Sequence, residues 1–156
     1  MKQISYYILE RLHINKDTGN HHHYNYHPKT RDELEKIVKK LIKERGNEAD
    51  LNDIDTSEIT NMLELFFNSK FNGNISEWDV SNVNNMNGMF YRSEFTGENG
   101  DISKWDVSNV KYMKFMFSDS VFNGNISNWD VSNVKYMNDM FEGTTLEKNP
   151  PKWYKD

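Results

Sequence analysis

One stretch of 16 residues, repeated almost unchanged, constrains what this chain can fold into. ISEWDVSNVNNMNGMF begins at Ile75 and returns as ISKWDVSNVKYMKFMF from Ile102 and as ISNWDVSNVKYMNDMF from Ile126. A more divergent copy, LNDIDTSEITNMLELF, begins at Leu51, so successive copies start 24, 27 and 24 residues apart. Such a period is typical of repeat architectures, in which each unit buries its apolar face against its neighbours. We therefore expect a solenoid of four repeats over residues 51–146.

Each copy combines two patterns. The segment around Ile75 and Trp78 predicts an extended or turning arm, and the following MxxMF spacing predicts a short helix. The Asp-x-Ser motif between them offers side-chain oxygens for a helix N-cap, although a column of such aspartates is also compatible with calcium binding. Recurring Trp, Met and Phe residues are expected in the core, and the recurring Asn residues are expected to hydrogen-bond the backbone of the stack.

The flanks of the repeats predict two caps. Residues 3–14 and 21–27 have strand-like composition, and residues 15–19 suit the turn of a β-hairpin. Thr30 and Glu33 form a capping box, and an apolar stripe from Leu34 to Ile42 predicts a helix that ends at Gly46. The predicted fold class is therefore α+β, with a hairpin–helix cap at 1–50, repeats at 51–146 and a C-terminal cap at 147–156. Deleting the last cap should expose Phe141 and Leu146.

Charge and composition restrict the partners. Residues 51–156 carry nine Lys or Arg against sixteen Asp or Glu, and residues 1–50 carry ten against eight. An acidic surface repels phosphate backbones, so direct nucleic-acid binding is not expected, and basic proteins are favoured as partners. The N-terminal apolar run is interrupted by Glu10 and Arg11, which predicts neither a signal peptide nor a membrane span and favours a cytoplasmic protein without a membrane partner.

No motif for a nucleophile, a phosphate loop or a zinc-dependent hydrolase occurs in the chain, and there is no cysteine. We therefore expect a protein that is not an enzyme and needs no cofactor. The strongest local cluster is His21, His23 and His27, which would share one face of a strand and could meet a zinc or nickel ion. A polar strand face explains the same residues, and no metal is expected.

The positions that differ between the repeats are where a binding specificity would be encoded. Three aromatic residues occupy such positions, which the period places towards solvent: Tyr112, Phe115 and Tyr136. Aromatic residues in a charged environment are common interface anchors. The predicted protein-binding set adds the neighbouring residues Lys111, Lys114, Lys135, Tyr91, Arg92 and Glu98. The alternative is that these side chains merely cover the flank of the repeats.

The ISxWDVSNVxxMxxMF pattern resembles the repeat of the BspA-like leucine-rich-repeat proteins of bacteria and phages, over residues 51–146. The resemblance implies a curved leucine-rich-repeat-like scaffold used for protein binding. The predicted function is a non-enzymatic protein-binding module that uses the variable face of the repeats. The alternative is a phage or mobile-element inhibitor of the anti-CRISPR type, whose acidic repeats block a nucleic-acid-handling effector of the host. The oligomeric state stays open.

Overall fold

The structure of the chain, a computed structural model, describes residues 13–14 and 21–156. Strand β1 (His13–Ile14) pairs antiparallel with strand β2 (His21–His22). Helix α1 spans Arg31–Arg45, and a 3₁₀-helix spans Thr145–Lys148. Between these two helices the repeats pair through isolated parallel bridges, which join Asp50 to Asn74, Asn61 to Asn85, Asn85 to Tyr112, and Tyr112 to Tyr136.

The predicted α+β class, with a β-hairpin and helix cap on a leucine-rich-repeat-like solenoid, is wrong. Within the described residues α1 is the only α-helix, the strands are two residues long, and the repeats contain neither an α-helix nor a continuous sheet. The predicted hairpin falls largely on residues 1–12 and 15–20, which lie outside the described residues. Residues 23–27 do not continue β2, because Tyr26 forms a parallel bridge with Ile54 instead.

The reason for the missing helices is the backbone of the turn segments, as we call residues 61–69, 85–93, 112–120 and 136–144. Two positions in each turn segment have positive φ, whereas an α-helix needs φ near −63° throughout. The φ angles are 52–59° at the first position and 51–70° at the second. The first position holds Glu64, Gly88, Phe115 and Asp139, and the second holds Asn68, Arg92, Asp119 and Gly143.

The backbone hydrogen bonds of the turn segments alternate between two kinds of acceptor. From Met86 to Arg92, every second N–H donates to a carbonyl of the third repeat, with N–O distances of 2.8–3.0 Å. The N–H groups of Met89, Tyr91 and Ser93 donate to carbonyls three residues earlier in their own repeat. Bonds in the opposite direction occur at the start of the turn segment, where the N–H groups of Lys111 and Tyr112 donate back to the Asn84 carbonyl. The bonds from 86–92 to the third repeat therefore all run one way, whereas in a regular strand ladder they run both ways along the same stretch.

Two columns of phenylalanine rings form the centre of the core. The first column has centroid separations of 5.4, 5.5 and 5.9 Å and planes parallel within 5°, and it contains Phe66, Phe90, Phe117 and Phe141. The second column contains Phe71, Phe95 and Phe122, at 6.3 and 6.1 Å. All seven side chains are at most 1% exposed. Because burying one such side chain contributes about 1.5–3 kcal/mol, repetition of the same residues stabilises the whole stack.

The arms are held by a second set of repeated contacts. The indole of each Trp donates to a backbone carbonyl of the preceding repeat at 2.9–3.2 Å, and the pairs are Trp78 to Leu51, Trp105 to Ile75, Trp129 to Ile102 and Trp153 to Ile126. The first three indoles are 3–5% exposed, so the prediction that they belong to the core is confirmed. The amides of Asn82, Asn109 and Asn133 donate to serine carbonyls one repeat earlier, in agreement with a structural role.

Helix α1 covers one end of this core. The helix that the capping box and the apolar stripe predicted, ending at Gly46, is confirmed. The Thr30 hydroxyl accepts from the Glu33 N–H, while the Glu33 carboxylate accepts from Lys29 N–H instead of the cap residue. Leu34, Val38 and Leu41 are at most 1% exposed and join the same apolar cluster as the repeats. Two arginines of the helix contact the first repeat: Arg31 Nε donates to the Leu63 carbonyl, and Arg45 forms a two-pronged ion pair with Asp53.

The C-terminal residues cover the other end. Trp153 stacks on Trp129 with centroids 6.4 Å apart, and Tyr154 lies edge-on to Phe141 at 5.1 Å. The Asp156 carboxylate accepts a hydrogen bond from the Asp139 N–H at 3.2 Å. In the earlier repeats the equivalent N–H group donates to a carbonyl of the next copy. Burial, together with the hydrogen bond to Asp156, raises the pKa of Tyr154 to about 12. The Tyr154 hydroxyl therefore stays protonated and can donate to Asp156.

Candidate protein-binding surface

Five aromatic side chains lie on the solvent side of the turn segments. We call Phe67, Tyr91, Tyr112, Phe115 and Tyr136 the aromatic face. Four of them are 37–46% exposed, and Tyr91 is half-buried. The expected exposure of Tyr112, Phe115 and Tyr136 is thus confirmed, whereas their role in binding stays a prediction.

The aromatic face consists of two columns that follow the repeats. In the first column Tyr91 lies between Phe67 and Phe115, with ring centroids at 5.4 and 6.2 Å. In the second column Tyr112 and Tyr136 stack at 5.6 Å with planes 3° apart. The backbone of both tyrosines belongs to the parallel bridge that joins the last two repeats. The rings are therefore positioned by the hydrogen-bonded stack and not by a mobile loop.

Cationic side chains accompany these rings. The Lys114 ammonium lies over the Tyr136 ring, 5.2 Å from its centroid, and the Arg92 guanidinium lies over Tyr91 at 4.9 Å. Arg92 also contacts the Asp119 carboxylate at 3.5 Å, so its charge is partly balanced. Lys111 and Lys135 are exposed and occupy equivalent positions in neighbouring repeats. They lie side by side, because the Lys135 N–H donates to the Lys111 carbonyl.

Two details of the predicted binding set differ from the structure. Glu98 is exposed, but the contacts of its loop lie elsewhere: Asn99 donates to the Asn72 carbonyl, and Gly100 packs against Gly73. Phe67 belongs to the aromatic face although the sequence reading missed it. A signal was present, because Phe67 occupies the position of Tyr91 in a more divergent first copy.

The recurring aspartates form local turns and do not cap helices. Asp106 Oδ1 accepts from the Ser108 hydroxyl at 2.6 Å and from its N–H at 3.1 Å, and Asp55 and Asp79 have the same two contacts with Ser57 and Ser81. The Ser108 hydroxyl and N–H lower the pKa of Asp106. Each carboxylate is thus engaged by its own repeat, which explains why the motif recurs.

The histidine cluster is only partly visible. His23 is exposed, and the Nδ1 atom of His27 lies 3.3 Å from an Asp55 carboxylate oxygen, while the side chain of His21 is outside the described part of the chain. Among the side chains that the structure describes, no three His, Asp or Glu residues are grouped as a metal site would require.

Across the described residues, no helix combines the length and the apolar character needed to cross a bilayer.

The stacked repeats and their regularly spaced surface columns define a repeat protein. Residues 33–153 match the family described as Mycoplasma protein of unknown function, DUF285, and the chain therefore belongs to this family. The match covers most of α1, all four repeats and Trp153, and it supports the resemblance to BspA-like proteins at the level of a repeat family. Comparison with curated proteins and with solved structures gave no match.

Proposed function

We propose that this protein binds another protein through the aromatic face and performs no catalysis of its own. The observation that carries the proposal is the exposure of large aromatic rings in two columns on a hydrogen-bonded stack, at positions that differ between otherwise similar repeats. Tyrosine and phenylalanine contribute large contact areas and lose little conformational entropy on binding, which makes them effective anchors. Their exposure would otherwise be unfavourable for a soluble surface.

The variation between repeats supports specificity. The core residues Met113, Met116 and Phe117 are retained in the next copy as Met137, Met140 and Phe141. The first left-handed position, in contrast, holds Glu64, Gly88, Phe115 or Asp139. A surface whose scaffold repeats while its outward residues change can recognise one partner in one register.

A pull-down with three matched baits tests this proposal. The baits are the wild-type chain, the variant Tyr112→Ala/Phe115→Ala/Tyr136→Ala, and Val121→Ala, which truncates an exposed apolar residue outside the aromatic face. We expect at least one protein that the wild type and Val121→Ala capture and the triple variant does not. Retention of every captured protein by a folded triple variant would refute the proposal. The alternative of an inhibitor of a nucleic-acid-handling effector stays a prediction, and the identity of the captured protein would decide it.

A further inference from the structure

We propose that the partner presents an acidic segment, a run of Asp or Glu side chains that lies along Lys111, Lys114 and Lys135. This inference rests on the proposed function and specifies the chemistry of the same surface. It replaces the expectation of a basic partner for this surface, because the local charge is positive although the repeats as a whole are acidic. In the first two repeats the positions of Lys111 hold Thr60 and Asn84, so the positive charge is confined to the later repeats. The three lysines take part in no ion pair within the described structure.

The orientation of the tyrosines favours an anionic ligand. Because Tyr112 and Tyr136 stack face to face, their facing surfaces are blocked, and Lys114 lies over the Tyr136 ring as well. The exposed parts of the pair include its ring edges and hydroxyl groups. The edge of an aromatic ring carries the positive part of its quadrupole, and the hydroxyl is a hydrogen-bond donor. Both features suit carboxylates.

Acidic residues on the same repeats restrict where the acidic segment of the partner can lie. Asp119 is engaged by Arg92, and Asp139 occupies the left-handed position next to Phe115 in the following repeat. Carboxylates of a partner would be repelled on that side. The acidic segment therefore follows the column of Lys111 and Lys135, and apolar groups of the partner contact Phe115 and Tyr91.

The charge of the whole chain favours a protein segment over a nucleic acid. The net charge is −5, and residues 51–156 carry nine basic against sixteen acidic side chains. A polynucleotide has a phosphate at every step and extends beyond the lysines, so it would meet the repelling field of the rest of the chain. A short acidic segment interacts only with charges within about 8–10 Å, the screening length at ordinary salt concentrations.

Fluorescence anisotropy with the full chain tests the inference. The probe is a labelled short peptide of alternating Glu and Leu, compared with the same peptide containing Gln in place of Glu and with single-stranded oligothymidylate. We expect the Glu peptide to bind more tightly than both. Lys111→Gln/Lys135→Gln should weaken its binding by about tenfold, because two exposed charge contacts are removed. The matched control, Lys70→Gln/Lys104→Gln, removes the same charge from exposed lysines outside the surface and should change little.

Three results would refute the proposal that the partner presents an acidic segment. They are absent binding of the Glu peptide, equal weakening by both double variants, and tighter lysine-dependent binding of oligothymidylate. The double lysine variant keeps all three aromatic anchors, which separates the two proposals. If a captured partner requires Tyr112, Phe115 and Tyr136 but tolerates Lys111→Gln/Lys135→Gln, the proposed function stands and the acidic segment is refuted.

Discussion

Phe115 combines a strained backbone with an exposed aromatic ring. Its φ of 55° is in the left-handed region, where an L-residue is less stable by about 1–2 kcal/mol, and its side chain is 41% exposed. The hydrogen bond from its N–H to the Asn138 carbonyl at 3.1 Å holds the conformation in place. An unfavourable residue at such a position suggests selection for something other than stability.

Substitutions at Phe115 should therefore separate stability from binding. Phe115→Gly should change the free energy of unfolding by less than about 1 kcal/mol, because relief of the strain offsets the lost contacts and the added chain entropy. Phe115→Val should lower it by about 1 kcal/mol, since β-branched residues tolerate positive φ poorly. Urea denaturation measures both values. A Gly variant that is less stable than the Val variant would contradict the left-handed assignment.

A second residue-level effect concerns pH. The pKa of Asp106 is lowered from its ordinary value of 3.8, first by the Ser108 hydroxyl and then by the Ser108 N–H. Because the folded pKa is below the unfolded one, the stabilisation is present above about pH 4 and is lost as the pH falls through the lower, folded value. The urea midpoint of the wild type should fall below about pH 4.

The control for this pH dependence is Ser108→Ala, which removes the hydroxyl donor and keeps the backbone N–H. Its urea midpoint should be lower than that of the wild type near neutral pH, and the difference between the two midpoints should become smaller in acid. A difference that is constant from neutral pH to about pH 2 would show that the hydroxyl acts independently of the carboxylate charge.

At the scale of elements, α1 has the strongest link between sequence and structure. Its start, its apolar stripe and its end at Gly46 are all local signals, and Leu34 and Leu41 are fully buried against the repeats. Leu41→Ala should lower the free energy of unfolding by about 2–5 kcal/mol, because it leaves a cavity under the helix. The neighbouring exposed Lys40→Ala should change it by less than about 0.5 kcal/mol. Equal effects of the two substitutions would show that α1 does not cover the core as described.

The turn segments show where prediction from sequence failed. Met86, Met89 and Phe90 are all buried, as predicted, but the spacing i, i+3, i+4 does not distinguish a helix from successive turns with left-handed residues. The distinguishing signal was residue type. Five of the eight left-handed positions hold the residues that tolerate this conformation best, namely Asn68, Gly88, Asp119, Asp139 and Gly143.

The candidate surface was more predictable than the backbone. Tyr112 and Tyr136 were found because they occupy variable positions, and such positions face solvent whether the segment is a helix or a series of turns. Their mutual stacking and the Lys114 contact were not predictable, because they depend on the distance between repeats. Phe67 was missed because the first copy has diverged most from the others.

At the scale of the molecule, stability is distributed along one continuous apolar cluster from α1 to Tyr154. In repeat proteins each unit contacts only its neighbours, so the end units need covers. A chain that ends at Leu146 would lose Trp153 and Tyr154, which contact Phe141, and the Asp156 carboxylate that accepts from Asp139.

We expect this truncated chain to aggregate at concentrations where the full chain is monodisperse, as measured by size-exclusion chromatography with light scattering. The exposed Phe141 and the released N–H groups explain the expectation. The full-length variant Trp153→Phe should stay soluble, since it keeps an apolar ring over the same end. A soluble truncated chain with a cooperative thermal transition would show that these residues are dispensable.

The most direct test of the central claim is the affinity of a captured partner for the wild-type chain and for Tyr112→Ala/Phe115→Ala/Tyr136→Ala, measured by titration calorimetry. Loss of three aromatic anchors should weaken binding by at least about a hundredfold, while the thermal transition still shows a folded protein. Val121→Ala should bind like the wild type. An affinity of the folded triple variant equal to that of the wild type would contradict the claim that the aromatic face is the binding surface.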